Sequence, residues 1–98
     1  MSKRKYIITG SSGFIGQNFI KINKLNNYLG LDRKKNNMIN GIKINLSNNK
    51  FAKIINYKDI DVVFHFAGYS NLDYQKNFDK CFSEDYKSLI NLINFLKT

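Results

Sequence analysis

Three glycines recur at every third position in Thr9-Gly10-Ser11-Ser12-Gly13-Phe14-Ile15-Gly16, directly after the apolar run Tyr6-Ile7-Ile8. The chemistry of such a pattern is the holding of an anion. A strand that ends in a glycine turn and continues as a helix leaves unpaired N–H groups at the helix start, around Gly13, Phe14 and Ile15. The helix dipole stands behind them. A diphosphate fits that mouth end-on. Gly10 permits the sharp turn at the strand end, where positive φ is needed. Gly13 leaves the backbone bare for close approach, and Gly16 removes bulk where the helix lies against its own strand. With Ser12, these residues form the candidate phosphate loop.

An acid follows at the right distance. Tyr28-Leu29-Gly30-Leu31-Asp32 reads as a second short strand with a carboxylate at its carboxyl end, about 20 residues beyond the turn. A carboxylate there accepts both hydroxyls of an adenosine ribose and repels a 2′-phosphate, which favours NAD. Arg33, with Lys34 and Lys35 beyond it, keeps NADP open as the alternative, since cations beside the same ribose can receive a phosphate.

These residues need a scaffold, and the rest of the chain supplies its pattern. A helix is expected over about Phe14 to Asn23, then a polar connector, then the Asp32 strand. Ile42-Lys43-Ile44 alternates and suits a short third strand. Ser47 can cap a helix over about Asn49 to Tyr57, with Phe51, Ile54 and Ile55 on one face. Val62-Val63-Phe64-His65-Phe66 is a continuous apolar run that suits a parallel strand covered on both faces. Helices follow over about Leu72 to Phe78 and Phe82 to Lys97, the second with an apolar stripe of Tyr86, Leu89, Ile93 and Leu96. The sum predicts one α/β domain, a doubly wound parallel sheet of four strands ordered 3-2-1-4.

Composition narrows the partners. At 98 residues and 43% hydrophobic the chain suits one small domain with a core. A formal charge of +9 raises nucleic acid as an alternative partner. Yet the lysines are scattered, the longest basic clusters are Lys3-Arg4-Lys5 and Arg33-Lys34-Lys35, and no aromatic–basic binding pattern accompanies them. No nucleic acid and no membrane partner is expected. Cys81 is the single cysteine, so neither an internal disulfide nor a thiolate metal cluster is expected. The basic start is not followed by a secretory apolar segment, and no stretch is long enough to cross a bilayer. The cytoplasm is the expected location.

Two segments together resemble a known family. Thr9-Gly10-Ser11-Ser12-Gly13-Phe14-Ile15-Gly16 resembles the TGxxGFIG turn of the extended short-chain dehydrogenase/reductases, in their NAD-dependent epimerase/dehydratase branch. Asp61-Val62-Val63-Phe64-His65-Phe66-Ala67-Gly68 resembles the D-V-V-x-H-x-A-[AG] fourth strand of that family. The resemblance implies a Rossmann-type fold in which the Phe14 and Ile15 amides meet the pyrophosphate and Asp32 with Arg33 holds the adenosine ribose. It implies that Asn45 and Leu46 flank adenine, with Asn45 where the family usually has Asp. It also implies that Phe66, Ala67, Gly68 and Ser70, with Tyr69 among them, run along the nicotinamide ribose and pyrophosphate. Asp85-Tyr86-Lys87-Ser88-Leu89-Ile90-Asn91-Leu92 falls where the family tends to have N-V-x-G-T-x-N-L. Asp replaces the leading Asn, and a carboxylate there would be repelled by a diphosphate. His65 has no acidic or second His neighbour in the sequence and reads as a hydrogen-bonded core residue, not as a catalyst.

In that family the chemistry belongs to a Tyr and to a Lys four residues later that lowers its pKa. Here Tyr6, Tyr28, Tyr57, Tyr69, Tyr74 and Tyr86 are followed four places on by Gly10, Asp32, Asp61, Asp73, Phe78 and Ile90. No catalytic residue is therefore assigned, nor any metal ligand. The expectation is the cofactor-binding part of an enzyme on nucleotide-linked sugars, with its catalytic portion and a possible homodimer interface belonging to the full-length protein. The fourth strand would then show an unpaired apolar edge. A non-catalytic NAD(P)-binding relative is the alternative.

Overall fold

The computed structural model describes residues 4–34, 40–48, 50–51, 55 and 57–97. The elements are β1 (Tyr6–Thr9), α1 (Phe14–Ile22), β2 (Tyr28–Asp32), β3 (Gly41–Lys43), β4 (Val62–His65), α2 (Asn71–Lys76) and α3 (Phe78–Leu96). They fall into two compact units, Met1–Ile44 with Tyr57–Ala67, and Asn45–Asn56 with Gly68–Thr98.

The first unit holds the sheet. Its strands run parallel in the order β3-β2-β1-β4, the order that the sequence pattern implies. Register places Tyr6 beside Tyr28 and Val62, and Thr9 beside Leu31 and His65. Ile7 and Ile8 are both fully buried. Successive side chains on a strand face opposite ways, so β1 is covered on both faces. Leu31 on β2 is also fully buried, and each such side chain contributes about 1.5–3 kcal/mol of transfer free energy. On one face Ile8, Ile20 of α1 and Tyr28 form a cluster, joined by Phe19, Phe64 and Phe66. Phe19 meets Phe64 at 4.5 Å and Phe66 at 5.3 Å between ring centres.

The third strand begins one residue earlier than the alternation suggests. Ile44 leaves the strand but stays buried, its N–H donating to the Asp32 carbonyl at 2.7 Å. The fourth strand lies at the end of the sheet, as the order 3-2-1-4 requires, and among the described residues it pairs with β1. Its burial corrects an expectation: the run is not covered on both faces, its residues being only half-buried and His65 exposed.

In the second unit, Leu46, Phe51, Ile55, Cys81, Leu92 and Phe95 are buried, with Phe51 and Phe95 5.5 Å apart. The Asn91 side-chain amide donates to the Leu46 carbonyl at 2.8 Å. Residues 49, 52–54 and 56 of the helix expected over 49–57 lie outside the described residues, so of its apolar face only Phe51 and Ile55 are placed. The two downstream helices divide earlier than expected. Asn77, at φ −155° and ψ 84°, ends α2 and caps α3 by accepting the Lys80 N–H.

The apolar stripe of α3 is largely exposed. Tyr86, Leu89, Ile93 and Leu96 are 58%, 42%, 39% and 42% exposed. The inward path is Cys81, Asp85, Ser88, Leu92 and Phe95, buried or half-buried. Two of those five are polar and satisfied locally: Ser88 Oγ donates to the Glu84 carbonyl, and Asp85 accepts two hydrogen bonds.

Candidate functional site

At Gly10 the backbone takes φ +69°. A Cβ there would lie 2.8 Å from the Ala67 nitrogen and from the Phe66 carbonyl carbon. The turn thus excludes a side chain twice over, by torsion and by the β4 exit packed against it. Its N–H donates to the Leu31 carbonyl at 2.7 Å, and the Gly13 N–H closes the turn on the Gly10 carbonyl at 3.0 Å. Gly16 is buried, and a Cβ on it would collide with the Gly10 backbone. Ser11 is buried completely, and a side chain at Gly30 would strike its hydroxyl.

Gly13 is the N-cap of α1, with φ −78° and ψ 169° and no side-chain cap. No acid stands in the first turn. Phe14 and Ile15 are 84% and 65% exposed, so their side chains are not packed over the helix start. Their amides lie in the first turn, where N–H groups lack an intrahelical acceptor. The Ser12 hydroxyl is buried without a hydrogen-bond partner. A bare mouth, an unspent buried hydroxyl and no competing carboxylate in the first turn suit a diphosphate.

Asp32 joins this turn directly. Its Oδ2 accepts the Ser12 N–H at 2.9 Å, and its Oδ1 accepts the Lys34 N–H at 2.9 Å. Each carboxylate oxygen keeps a further lone pair, so two ribose hydroxyls can still be received. Arg33 and Lys34 are exposed beside it, while Lys35 lies outside the described residues.

Thr9 is the residue that sequence reasoning missed in this unit. It is fully buried, its carbonyl accepts the Phe66 N–H at 3.1 Å and its Oγ1 accepts the Ala67 N–H at 3.1 Å. The same hydroxyl lies 2.6 Å from His65 Nδ1, which leaves its proton free for that nitrogen. Thr9 therefore fixes both Phe66 and Ala67 at the turn. Its place at the strand end, in register with His65, was the available signal. His65 points away from the face where Phe64 and Phe66 pack, and is hydrogen-bonded as expected, but it is exposed and not in the core.

Gly10, Ser12, Gly13, Phe14, Ile15, Gly16, Asp32, Arg33, Phe66 and Ala67 thus all belong to the first unit. Asn45, Leu46, Gly68 and Ser70 belong to the second. Asn45 Oδ1 accepts the Ser47 N–H and hydroxyl at 3.0 and 2.7 Å, and Leu46 is 4% exposed. Gly68 and Ser70 are exposed. Ser70 spends its hydroxyl on a capping box with Asp73, at 2.8 and 3.2 Å. Tyr69 turns its hydroxyl to Glu84 Oε1 at 2.9 Å. The Tyr74 hydroxyl donates to Asp85 Oδ2 at 2.6 Å. That bond, with burial and the carboxylate charge, pushes the Tyr74 pKa up to about 12. Burial first, then Asp73 and Asp85, push the Cys81 thiol up.

The sequence pattern of the NAD dependent epimerase/dehydratase family matches residues 6–98. The chain belongs to that family. No curated protein matches this chain, but solved structures do. L-threonine dehydrogenase from Clostridium difficile is similar at TM-score 0.78 and 22% identity, covering 99% of this chain and 34% of its own. L-threonine dehydrogenase from Phytophthora infestans is similar at TM-score 0.74 and 17% identity, covering 92% and 31%. UDP-glucose-4-epimerase from Stenotrophomonas maltophila, with bound NAD and formylated UDP-arabinopyranose, gives TM-score 0.74 and 18% identity, covering 97% and 34%. At such identities the likeness is one of fold, and this epimerase/dehydratase chain spans about a third of the length of those structures. Among its described residues no group of three His, Cys, Asp or Glu could hold a metal, and no helix is long and apolar enough to cross a membrane.

Proposed function

We propose that this chain is the NAD-binding portion of an NAD-dependent epimerase/dehydratase acting on a nucleotide-linked sugar. The observation that carries the reading is the uncapped, exposed start of α1 at Gly13, Phe14 and Ile15, with the Asp32 carboxylate tied to the Ser12 N–H of the same turn. In this reading the Phe14 and Ile15 amides hold the pyrophosphate and Asp32 holds the adenosine ribose. NAD is preferred to NADP because the Asp32 charge opposes a 2′-phosphate. Gly10, Gly16, Phe66 and Ala67 shape the turn, and Ser12 offers its hydroxyl to the phosphates. The contacts of Arg33, Asn45, Leu46, Gly68 and Ser70 rest on the family resemblance. When bound, the dinucleotide accepts and returns a hydride, so that a keto-sugar can be epimerised, dehydrated or reduced.

The catalytic step in this reading rests with a Ser or Thr and a Tyr-x-x-x-Lys pair that residues 1–98 do not contain. Cytoplasmic location and a homodimer of the full-length protein belong to the same proposal. The decisive experiment titrates NAD and NADP against the wild type and Asp32→Ala. Tighter binding of NAD than NADP, weakened by the substitution, supports the reading. Equal binding by both proteins overturns the ribose assignment, and no binding of either coenzyme overturns the whole. UDP-glucose, UDP-galactose and L-threonine, offered to the full-length protein with NAD, test the substrate class. Reduction of NAD with L-threonine alone would replace the sugar assignment, and tight NAD binding without turnover on any of the three would favour the non-catalytic relative.

A further inference from the structure

The segment Gly68-Tyr69-Ser70 belongs to no strand or helix, and Gly68 and Ser70 are exposed. Acidic side chains of the second unit nevertheless fix it closely. The Tyr69 N–H donates to Asp85 Oδ2 at 3.2 Å, and the Tyr74 hydroxyl donates to the same oxygen at 2.6 Å. The Tyr69 hydroxyl donates to Glu84 Oε1, and the Ser70 N–H and hydroxyl donate to Asp73 Oδ2. A Cβ on Gly68 would stand 3.7 Å from Asp85 Oδ2, so the carboxylate already lies against the backbone there.

We propose that Asp85 is a positioning residue, which sets the backbone of residues 68–70 by holding the Tyr69 N–H and the Tyr74 hydroxyl on one carboxylate oxygen. Its importance for coenzyme rests on the reading of that segment as a dinucleotide contact. A carboxylate oxygen is acceptor-only, so both donors are satisfied whichever of its two oxygens is turned towards them. The Asn that the family tends to place there carries an NH₂, and one of its two orientations would face these donors with another donor. The proposal also removes the difficulty of a carboxylate near a diphosphate, because Asp85 is committed to donors of its own unit and is not a phosphate contact. A segment ordered before the ligand arrives loses less freedom on binding. The raised Tyr74 pKa has the same cause.

The test compares wild type, Asp85→Ala, Asp85→Asn and Tyr74→Phe by amide exchange at Tyr69, NAD titration and tyrosinate absorbance. Asp85→Ala should speed Tyr69 exchange and weaken NAD by about tenfold each, the effect of losing a charge-assisted hydrogen bond. Asp85→Asn should restore most of both while the Tyr74 titration returns towards the ordinary tyrosine range. Tyr74→Phe should give smaller changes of the same sign, and it serves where Asp85→Ala does not fold. Wild-type Tyr69 exchange in Asp85→Ala, or in Tyr74→Phe where that is the folded variant, overturns the proposal whatever NAD does. Faster exchange in a protein that binds no NAD upholds the positioning role and rejects the dinucleotide reading instead.

Discussion

The glycine turn of the first unit and the Asp85 cluster of the second both hold a loop in one shape, by opposite means. At the turn the work is done by backbone: Gly10 at positive φ, the Gly13 N–H on the Gly10 carbonyl, and open amides at Phe14 and Ile15. Around residues 68–70 it is done by side chains: Asp73, Glu84 and Asp85 accept the N–H and hydroxyl hydrogens of Tyr69 and Ser70. A backbone device depends on which residues are absent, since a Cβ spoils it. A side-chain device depends on which residues are present and on their charge. The first should therefore break under added bulk and the second under lost charge.

The largest effect is expected at Gly10. Gly10→Val places a β-branched residue at φ +69°, with its Cβ 2.8 Å from the Ala67 nitrogen. Strained torsion and overpacking together should cost about 3 kcal/mol or more, read as a collapsed urea midpoint with loss of coenzyme binding. A near-native midpoint would show that the turn tolerates bulk.

Gly13→Asp separates stability from binding. Gly13 has φ −78°, which any residue adopts, and Asp is a favoured N-cap. A Cβ would meet only the Gly10 carbonyl, at 3.3 Å. Stability should stay within about 0.5 kcal/mol of wild type. NAD affinity should nonetheless fall roughly 100-fold, because a negative charge then occupies the place proposed for the diphosphate. Equal affinity would move the anion site away from α1. Next comes Asp32→Ala, which strips acceptors from the Ser12 and Lys34 amides. NAD binding should weaken about 10- to 100-fold, and the ratio of NAD to NADP affinity should shift towards NADP.

What the sequence revealed follows the same division. Glycine spacing announces a backbone device, so the turn, α1 and the place of Asp32 at the end of β2 are legible in the sequence. The sheet order was legible too, because the apolar runs at Ile7-Ile8 and Val62-Val63 read as parallel strands. Side-chain devices leave no such spacing. Asp85 and Ser88 occupy the inward path of α3, while Tyr86, Leu89 and Ile93 face outward. A periodicity count that equates apolar with buried selects a strip about one residue, roughly 100°, away from the inward path. Thr9 was hidden differently: its role lies in register with His65, fixed by strand pairing.

The smallest effect tests the second device through its charge. Tyr74 has its pKa raised to about 12, chiefly by its bond to Asp85, and an unfolded tyrosine titrates near 10. A group with a raised folded pKa contributes stability that is complete below the unfolded value. That contribution is lost as pH rises through the folded one. The Tyr74–Asp85 contribution should therefore be constant through neutral pH and decline between about 10 and 12. Lysines titrate in the same range, so the quantity to measure is the difference between wild type and Tyr74→Phe in thermal midpoint at each pH. That difference should be flat from pH 7 to about 10 and shrink above it. A difference that grew with pH would mean that folding favours the tyrosinate, which cannot donate to Asp85 and would be repelled by it, and the Tyr74–Asp85 bond would be refuted.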